Sequence, residues 1–555
     1  MCRRFLLMGA GVAAPFLLLA LVEAFLRIFG IGDPPQKCFE VEGGICRLDA
    51  AAYAAAGEQN PGRSTDRLVL HPPGKDVFRM VVVGESTAAG FPFFPYFSFG
   101  RVLERHLSSE GPSMALEVVN LARAADSSAD VLEVATRALS FAPDVLLVSC
   151  GHNDFQVPYC DELRHGRGWS ILMNLNLVRW LQTSLGSKGP ARLPSAGLLD
   201  VADAPFLSEA ERDRGRVRFK DHLQTLVACA RKSQVLVLLL TQTCNLRHFA
   251  PSFSSFSRPL SPEERETYRR ELNELRAVLA ASDLADRAPR LLPRIEVLID
   301  VDPGVALAQF VRARLLEESS DISGARECYR RALELDGYPN RATGLINGAI
   351  KEVASEGHAT LIDVEEHFFR IASGAAPGED LFLDHCHPTL EATVEFALAV
   401  ELVLCPLLRK RSLCRPHGND PSFSRLLSGQ SLDQWIEALG LSRAFLANQM
   451  FSAGLLSLRL YLESPTGPDA LNLARRSFEQ VLMVEQDHAF AWVGRCVVAL
   501  LQGDKDRALE FAASAHAVDP SSMNHLLKFA RTTVVLRRRL EELGLEISDE
   551  GLRVR

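Results

Sequence analysis

The sequence has no surplus of basic residues, no C-x-x-C pair, no glycine-rich phosphate loop and no constellation of metal ligands. With 61 Lys and Arg against 69 Asp and Glu, the formal net charge is −8 over 555 residues. That balance leaves no electrostatic footprint for nucleic acid. Twelve cysteines in so long a chain, none at zinc-finger spacing, make neither a disulfide scaffold nor a structural zinc site. Cys38 and Cys46 are the exception, because they bracket a short glycine-containing loop and can pair in an oxidising compartment. A clean small-x-small cleavage site is also missing after the N-terminal apolar run, so that run reads as an uncleaved anchor rather than a signal peptide.

What is present is ample apolar material, 47% of residues, which excludes general disorder; the length implies two or more domains. Arg3 and Arg4 precede residues 5–22, eighteen positions without a charge, which meets the lower limit for a membrane span. Glu23 and Arg27 follow at i, i+4 spacing and can pair near the far interface. The two arginines keep the N-terminus cytoplasmic, so the reading is a single-pass membrane protein with its catalytic part extracytoplasmic, in the periplasm of a bacterial envelope. Residues 33–75, rich in Pro, Gly and Ala, read as a stem.

From there strand and helix patterns alternate. The run Met80-Val-Val-Val83 reads as a strand buried on both faces, ending at Gly84 just before Glu85 and Ser86. Further strands are expected over 116–119, 145–149, 235–240 and 360–364, with helices over 99–107, 129–140, 217–231 and 389–404. Strands separated by helices predict an α/β fold with a parallel sheet. Between the fourth and fifth strands, Ala313, Asp321, Ala325, Tyr329, Ala332 and Asp336 fall at the small and aromatic positions of a 34-residue tetratricopeptide unit. The C-terminal region repeats the pattern with Trp492, Cys496, Gly503-Asp504, Ala508, Ala512, Ala515 and Asp519-Pro520, and Ala474 and Phe478 mark a fainter copy before it. The expected organisation is an anchor (1–32), a stem (33–75), an α/β domain in two parts (76–258 and 340–412), a helical insertion (259–339) and a C-terminal helical repeat domain (413–555).

Four signals sit at strand ends or before the last helix: Gly84-Glu-Ser86, Asn120-Leu-Ala122, Gly151-His-Asn153-Asp154 and Asp384-x-x-His387. In a parallel sheet those ends converge on one rim. In this order the blocks resemble the SGNH hydrolases, or GDSL-type esterases, over roughly residues 76–255 and 340–410. Asn245-Leu-Arg247 and the helical repeats resemble a membrane-anchored bacterial subgroup of that family. The resemblance implies a flavodoxin-like parallel sheet flanked by helices.

A serine alcohol is a weak nucleophile and needs a base, and the base needs an acceptor that fixes its tautomer. His387 and Asp384 suit those roles toward Ser86, and the resemblance assigns the same three residues. It also implies oxyanion donors at Ser86 N–H, Ala122 N–H and the Asn153 side chain. Ala122 stands where the family carries glycine, which puts the loop geometry at issue if that position needs positive φ. His385 is off the family spacing and reads as a packing or solvent-facing residue. His152 reads as pocket-shaping or structural, Cys150 and Cys386 as packing, and Asp154 as a loop-orienting group. The aromatic run from Phe91 to Phe97 divides between lining an acyl pocket and simple packing.

The functional expectation is a membrane-tethered serine esterase that needs no cofactor or metal and acts on small-molecule, lipid or glycan esters of the cell envelope. The repeats offer a surface for a protein partner. Two alternatives share the sequence features: a polysaccharide O-acetyltransferase or deacetylase with the same triad, and a catalytically silent repeat scaffold. The topology has a direct test in bacteria, through alkaline-phosphatase and fluorescent-protein fusions at the C-terminus. Active phosphatase with a dark fluorescent fusion is expected; the reverse pattern overturns the outward orientation.

Overall fold

The computed structural model describes residues 22–26, 39–42, 45–48, 69–70, 77–94, 97–109, 115–155, 201–279, 281, 283–410, 434, 436–437, 439–463, 468–548 and 551–554. Strand β1 (Val77–Gly84) is followed by helix α1 (Phe99–Ser109), β2 (Ala115–Asn120), α2 (Ser128–Ala138), β3 (Val145–Ser149), α3 (Glu209–Lys232) and β4 (Leu236–Leu240). Four helices then intervene, α4 (Pro262–Val278), α5 (Leu284–Val301), α6 (Ala306–Glu318) and α7 (Ile322–Leu335). The chain returns through α8 (Gly344–Val353), β5 (Thr360–Ile362), α9 (Val364–Ile371) and α10 (Leu390–Lys410). The C-terminal region holds α11 (Arg443–Glu463), α12 (Pro468–Val484), α13 (Ala489–Gln502) and α14 (Lys505–Val518), then further short elements.

The five strands pair in the order β5-β4-β3-β1-β2, and every pairing is parallel. Read from the other edge this is 2-1-3-4-5, the flavodoxin-like order whose switch point lies between β1 and β3. Side chains of β1 alternate between two apolar layers, as a two-residue period requires. Met80 and Val82 join Phe99, Val102 and Leu103 of α1 and Val394, Ala397 and Val400 of α10. Val81 and Val83 join α2, α3 and α8 on the other face through Val134, Phe219 and Ile350. All four of these β1 residues are fully buried. At about 1.5–3 kcal/mol for each large apolar side chain, the sheet is held by burial on both sides.

Capping moved two of the expected boundaries. Helix α3 starts eight residues before the expected 217, because Ser208 and Glu211 form a reciprocal capping box. The last strand stops at Ile362, not 364, because the Asp363 side chain accepts from Glu366 N and so opens α9. In the region read as a stem, Phe39–Glu42, Ile45–Leu48 and Val69–Leu70 form a small antiparallel sheet. Residues 1–21 and 27–32 of the expected anchor, and Cys38, lie outside the described residues; 22–26 are helical. No helix among the described residues is long and apolar enough to cross a membrane.

The intervening helices pair as antiparallel hairpins. Ala313, Ala325, Tyr329 and Ala332 are buried where α6 meets α7, as their small and aromatic pattern required. In the C-terminal pair, Gly503 at φ 82° ends α13 and the Asp504 side chain caps α14 by accepting from Arg507 N. Ala508, Ala512, Ala515 and Cys496 close that interface, and Ala474 and Phe478 are buried at the preceding pair. Phe478 fills the space that Gly454 and Gly494 leave open: a Cβ on either would lie 2.7 and 2.6 Å from its ring.

Gly84 is constrained by space. A Cβ there would lie 2.1 Å from Ser149 O and 2.8 Å from Ala88 Cβ. Gly84→Ala must therefore push apart the backbones of β1 and β3, at a cost of about 2 kcal/mol or more. Gly348→Ala is the control, since nothing lies within 4 Å of the added carbon and alanine favours helix by about 1 kcal/mol. Thermal unfolding should show the first variant melting below the parent and the second at or above it.

Candidate active site

The rim is built from backbone hydrogen bonds that run past the strand ends. Glu85 N donates to Ser149 O at 3.2 Å, Leu121 N to Val82 O at 2.8 Å and Arg123 N to Gly84 O at 3.0 Å. These bonds bring the first three sequence blocks side by side. Ser86 opens the short helix Ser86–Ala89, which Gly90 ends at φ 92°. As the first helical residue, Ser86 has no intrahelical acceptor for its own N–H.

Glu85 does more than precede the serine. Its two carboxylate oxygens accept from Gly151 N and His152 N, each at 2.8 Å, so the end of β1 grips the loop after β3. Burial first, and the nearby Asp154 second, push the Glu85 carboxyl well above its ordinary range, against the N–H groups that favour its charge. Asp154 has the loop-orienting place expected of it, accepting from Ser128 N at 3.3 Å and from Ser128 Oγ. Burial raises its pKa as well.

The second block is tied to the first through Asn120, whose Nδ2 donates to Ala88 O at 2.9 Å. Its Oδ1 accepts from Ala122 N at 3.0 Å, so this expected oxyanion donor is engaged by its own strand end. Ala122 does not adopt a positive φ, so the position has no need of glycine's left-handed freedom. In the third block, Asn153 Nδ2 gives one hydrogen to Asp126 O at 2.9 Å, and Asp126 forms a buried ion pair with Arg123 at 2.8 Å.

The fourth block completes the arrangement. His387 Nε2 lies 2.7 Å from Ser86 Oγ, and His387 Nδ1 lies 2.6 Å from Asp384 Oδ2. The other oxygen of Asp384 accepts from Cys386 N and His387 N, each at 2.9 Å. Asp384 is an acceptor only, so His387 carries its proton on Nδ1 and turns the lone pair of Nε2 to the serine. Burial pushes the Asp384 carboxyl up, but the His387 and His385 rings and the donors from His387 outweigh it and hold the pKa far below the usual carboxylate range. His385 does not face the serine; its Nδ1 is 3.5 Å from Asp384 Oδ1 and its ring packs 5.6 Å from Phe249.

Of the aromatic run, Phe93 and Phe97 are buried in the core, and Phe91 lies against the His387 ring at 4.6 Å between centroids. Cys150 and Cys386 are buried, and burial pushes both thiols well up. The ligand-type atoms of Asp384, His385, Cys386 and His387 lie within 4.8 Å of one another, but both ring nitrogens of His387 and both Asp384 oxygens already have hydrogen-bond partners.

Two residues outside the assigned set hold this loop. Asn245 N donates to His385 O at 2.9 Å and Asn245 Nδ2 to Asp384 O at 3.2 Å. Arg341, 1% exposed, donates from Nη1 to Asn245 O at 2.6 Å and to Phe249 O at 2.8 Å, and sits 3.7 Å from buried Asp336. The Asn245-Leu-Arg247 segment was visible in the sequence without a role; nothing there marked Arg341.

Among solved structures, the chain is similar to a GDSL-like lipase from Bacteroides thetaiotaomicron (10% identity, TM-score 0.28, 61% of this chain and 93% of that one). A catalytic mutant of an acetylxylan esterase from Geobacillus stearothermophilus aligns at 12% identity and TM-score 0.28 over 59% of this chain and 93% of that one. A lipase/acylhydrolase from Enterococcus faecalis aligns at 11% and 0.26 over 61% and 99%. No family model and no curated protein matches the chain. The chemistry rests on the chain's own residues.

Removing the Glu85 carboxylate leaves two buried N–H groups without acceptors, at about 1–3 kcal/mol each. Glu85→Ala should lower the melting temperature and speed hydrogen exchange at the Gly151 and His152 amides. Glu85→Gln, which keeps an acceptor oxygen for one of them, should do both to a smaller degree. Unchanged exchange in the alanine variant would remove the carboxylate from this role.

Proposed function

We propose that the chain is a serine esterase that works through an acyl-serine intermediate. The observation that carries this reading is the continuous hydrogen-bonded line from Asp384 through His387 to Ser86. Ser86 Oγ attacks the ester carbonyl as its proton passes to His387 Nε2, and Asp384 stabilises the imidazolium so formed. The Ser86 N–H and the remaining amide hydrogen of Asn153 face the developing oxyanion, with Ala122 N–H as a third donor shared with Asn120. Each such donor is worth roughly 3–4 kcal/mol in the transition state. Collapse breaks the ester C–O bond, and the proton on Nε2 goes to the departing alkoxide. Water then gives a proton to Nε2 as its oxygen attacks the acyl carbonyl; collapse breaks the bond from the acyl carbon to Ser86 Oγ, which takes that proton back from Nε2 as the acid leaves. Every step balances with protein groups and water, so the reading calls for no cofactor.

The proposed setting is extracytoplasmic and membrane-tethered, supported by Arg3, Arg4 and the uncharged residues 5–22. The proposed substrates are O-acyl glycans or lipid esters of the envelope, and the helical pairs are the proposed site for a protein partner.

The test combines a fluorophosphonate probe with ester hydrolysis. The probe should label Ser86 in the parent and not in Ser86→Ala, and kcat should fall by about a millionfold in that variant. His387→Ala should approach the same loss, whereas His385→Ala should retain most of the activity. Substantial activity in Ser86→Ala, or equal losses in the two histidine variants at matched folding, would refute the assignment.

A further inference from the structure

His152 lies between two elements that meet at the site. Its backbone N–H is held by Glu85, next to the nucleophile, and its side chain by the segment that returns from the helical insertion. There, Ala342 N approaches His152 Nδ1 at 3.1 Å. A backbone N–H can only donate, so Nδ1 is the lone-pair nitrogen and the ring proton is on Nε2. The residue is 1% exposed, and Nε2 has no hydrogen-bond partner among the described residues. A buried N–H without an acceptor costs about 1–3 kcal/mol, so a fold that keeps one needs a reason.

The charge state is settled by the same surroundings. Burial first, then the His385 and His387 rings, lower the pKa of His152 to about 3, with Arg341 acting in the same direction and Asp384 opposing. The ring is therefore neutral at any working pH and offers a fixed N–H. Apart from Arg341, its electrostatic neighbours are His385, His387 and Asp384 of the acid–base loop, the side of the site where His387 protonates the leaving alcohol. Asn153, the adjacent residue, gives one amide hydrogen to Asp126 O.

The geometry points to His152 Nε2–H as a substrate-binding donor that donates to an oxygen of the alcohol half of the ester, selecting esters of polyhydroxy compounds such as sugars over esters of simple alcohols. This rests on the esterase reading and refines it. A vicinal hydroxyl or ring oxygen of a sugar presents an acceptor close to the leaving oxygen. An alkyl alcohol presents none and leaves the buried N–H unpaired when the substrate excludes water.

The test compares two substrates: a methyl glycoside carrying one acetyl group beside a free hydroxyl, and its deoxy analogue lacking that hydroxyl. The parent should favour the hydroxylated ester by about tenfold or more in kcat/KM. In His152→Phe the ratio should fall toward one; His152→Gln, which restores an N–H, should recover part of it. Fluorophosphonate labelling of Ser86 reports whether each variant is folded, and the glutamine variant carries the comparison if the phenylalanine variant is not. A merely structural histidine lowers both rates and leaves their ratio unchanged, which overturns the inference. So does a parent ratio near one while 4-nitrophenyl acetate is hydrolysed in a Ser86-dependent way, a result that leaves the esterase reading standing. A parent inactive on every ester, 4-nitrophenyl acetate included, overturns both.

Discussion

A parallel sheet buried on both faces has its unpaired backbone groups at the strand ends, and here one carboxylate gathers them. Glu85 accepts the N–H groups of Gly151 and His152, and so locks the end of β1 to the loop after β3. Ser86 and Asn153 are the immediate neighbours of the residues in that bond, so their relative position follows from it. Burying the carboxyl is unfavourable, and its proximity to Asp154 makes it more so. The cost is offset by the backbone donors that would otherwise be orphaned, which is why the carboxyl group belongs at the rim and not in the sheet.

The acid–base loop reaches the same rim from 301 positions away, and it is steadied from outside the sheet. Asn245, after β4, bonds the backbone of Asp384 and His385; Arg341, on the return from the helical insertion, bonds Asn245 in turn. Arg247 pairs with Glu317 of α6 at 2.8 Å, and Arg476 of α12 pairs with Glu379 ahead of the loop. The helical insertion thus touches the segment that holds the loop, and the C-terminal helices touch the residues just ahead of it.

Much of the fold was legible because its signals are local. Uninterrupted valine-containing runs such as residues 80–83 and 145–149, bounded by turn residues, read as buried strands, and small residues at helical spacing in 313–332 and 496–515 read as the contacts of helix pairs. Boundaries were less legible where side-chain caps decided them, as at Ser208 and Asp363. The three-stranded sheet in the stem was missed because its strands are short and carry no long alternating pattern. The worry over Ala122 came from reading a family glycine as a conformational need; φ at that position is ordinary, and its N–H is directed by Asn120.

The sequence alone determined which groups are available for acyl transfer: a serine after a β-strand, an Asp-x-x-His before a helix, and an asparagine after a third strand. These are chemical identities at fixed spacings, and they survive without coordinates. Only the tertiary structure decided how the groups meet. It set the 2.7 Å between Ser86 and His387, the place of Arg341 behind the loop and the proton position on His152. Each depends on hydrogen bonds between residues tens to hundreds of positions apart, whose donors and acceptors are paired by the crossing of elements in space and not by their order along the chain.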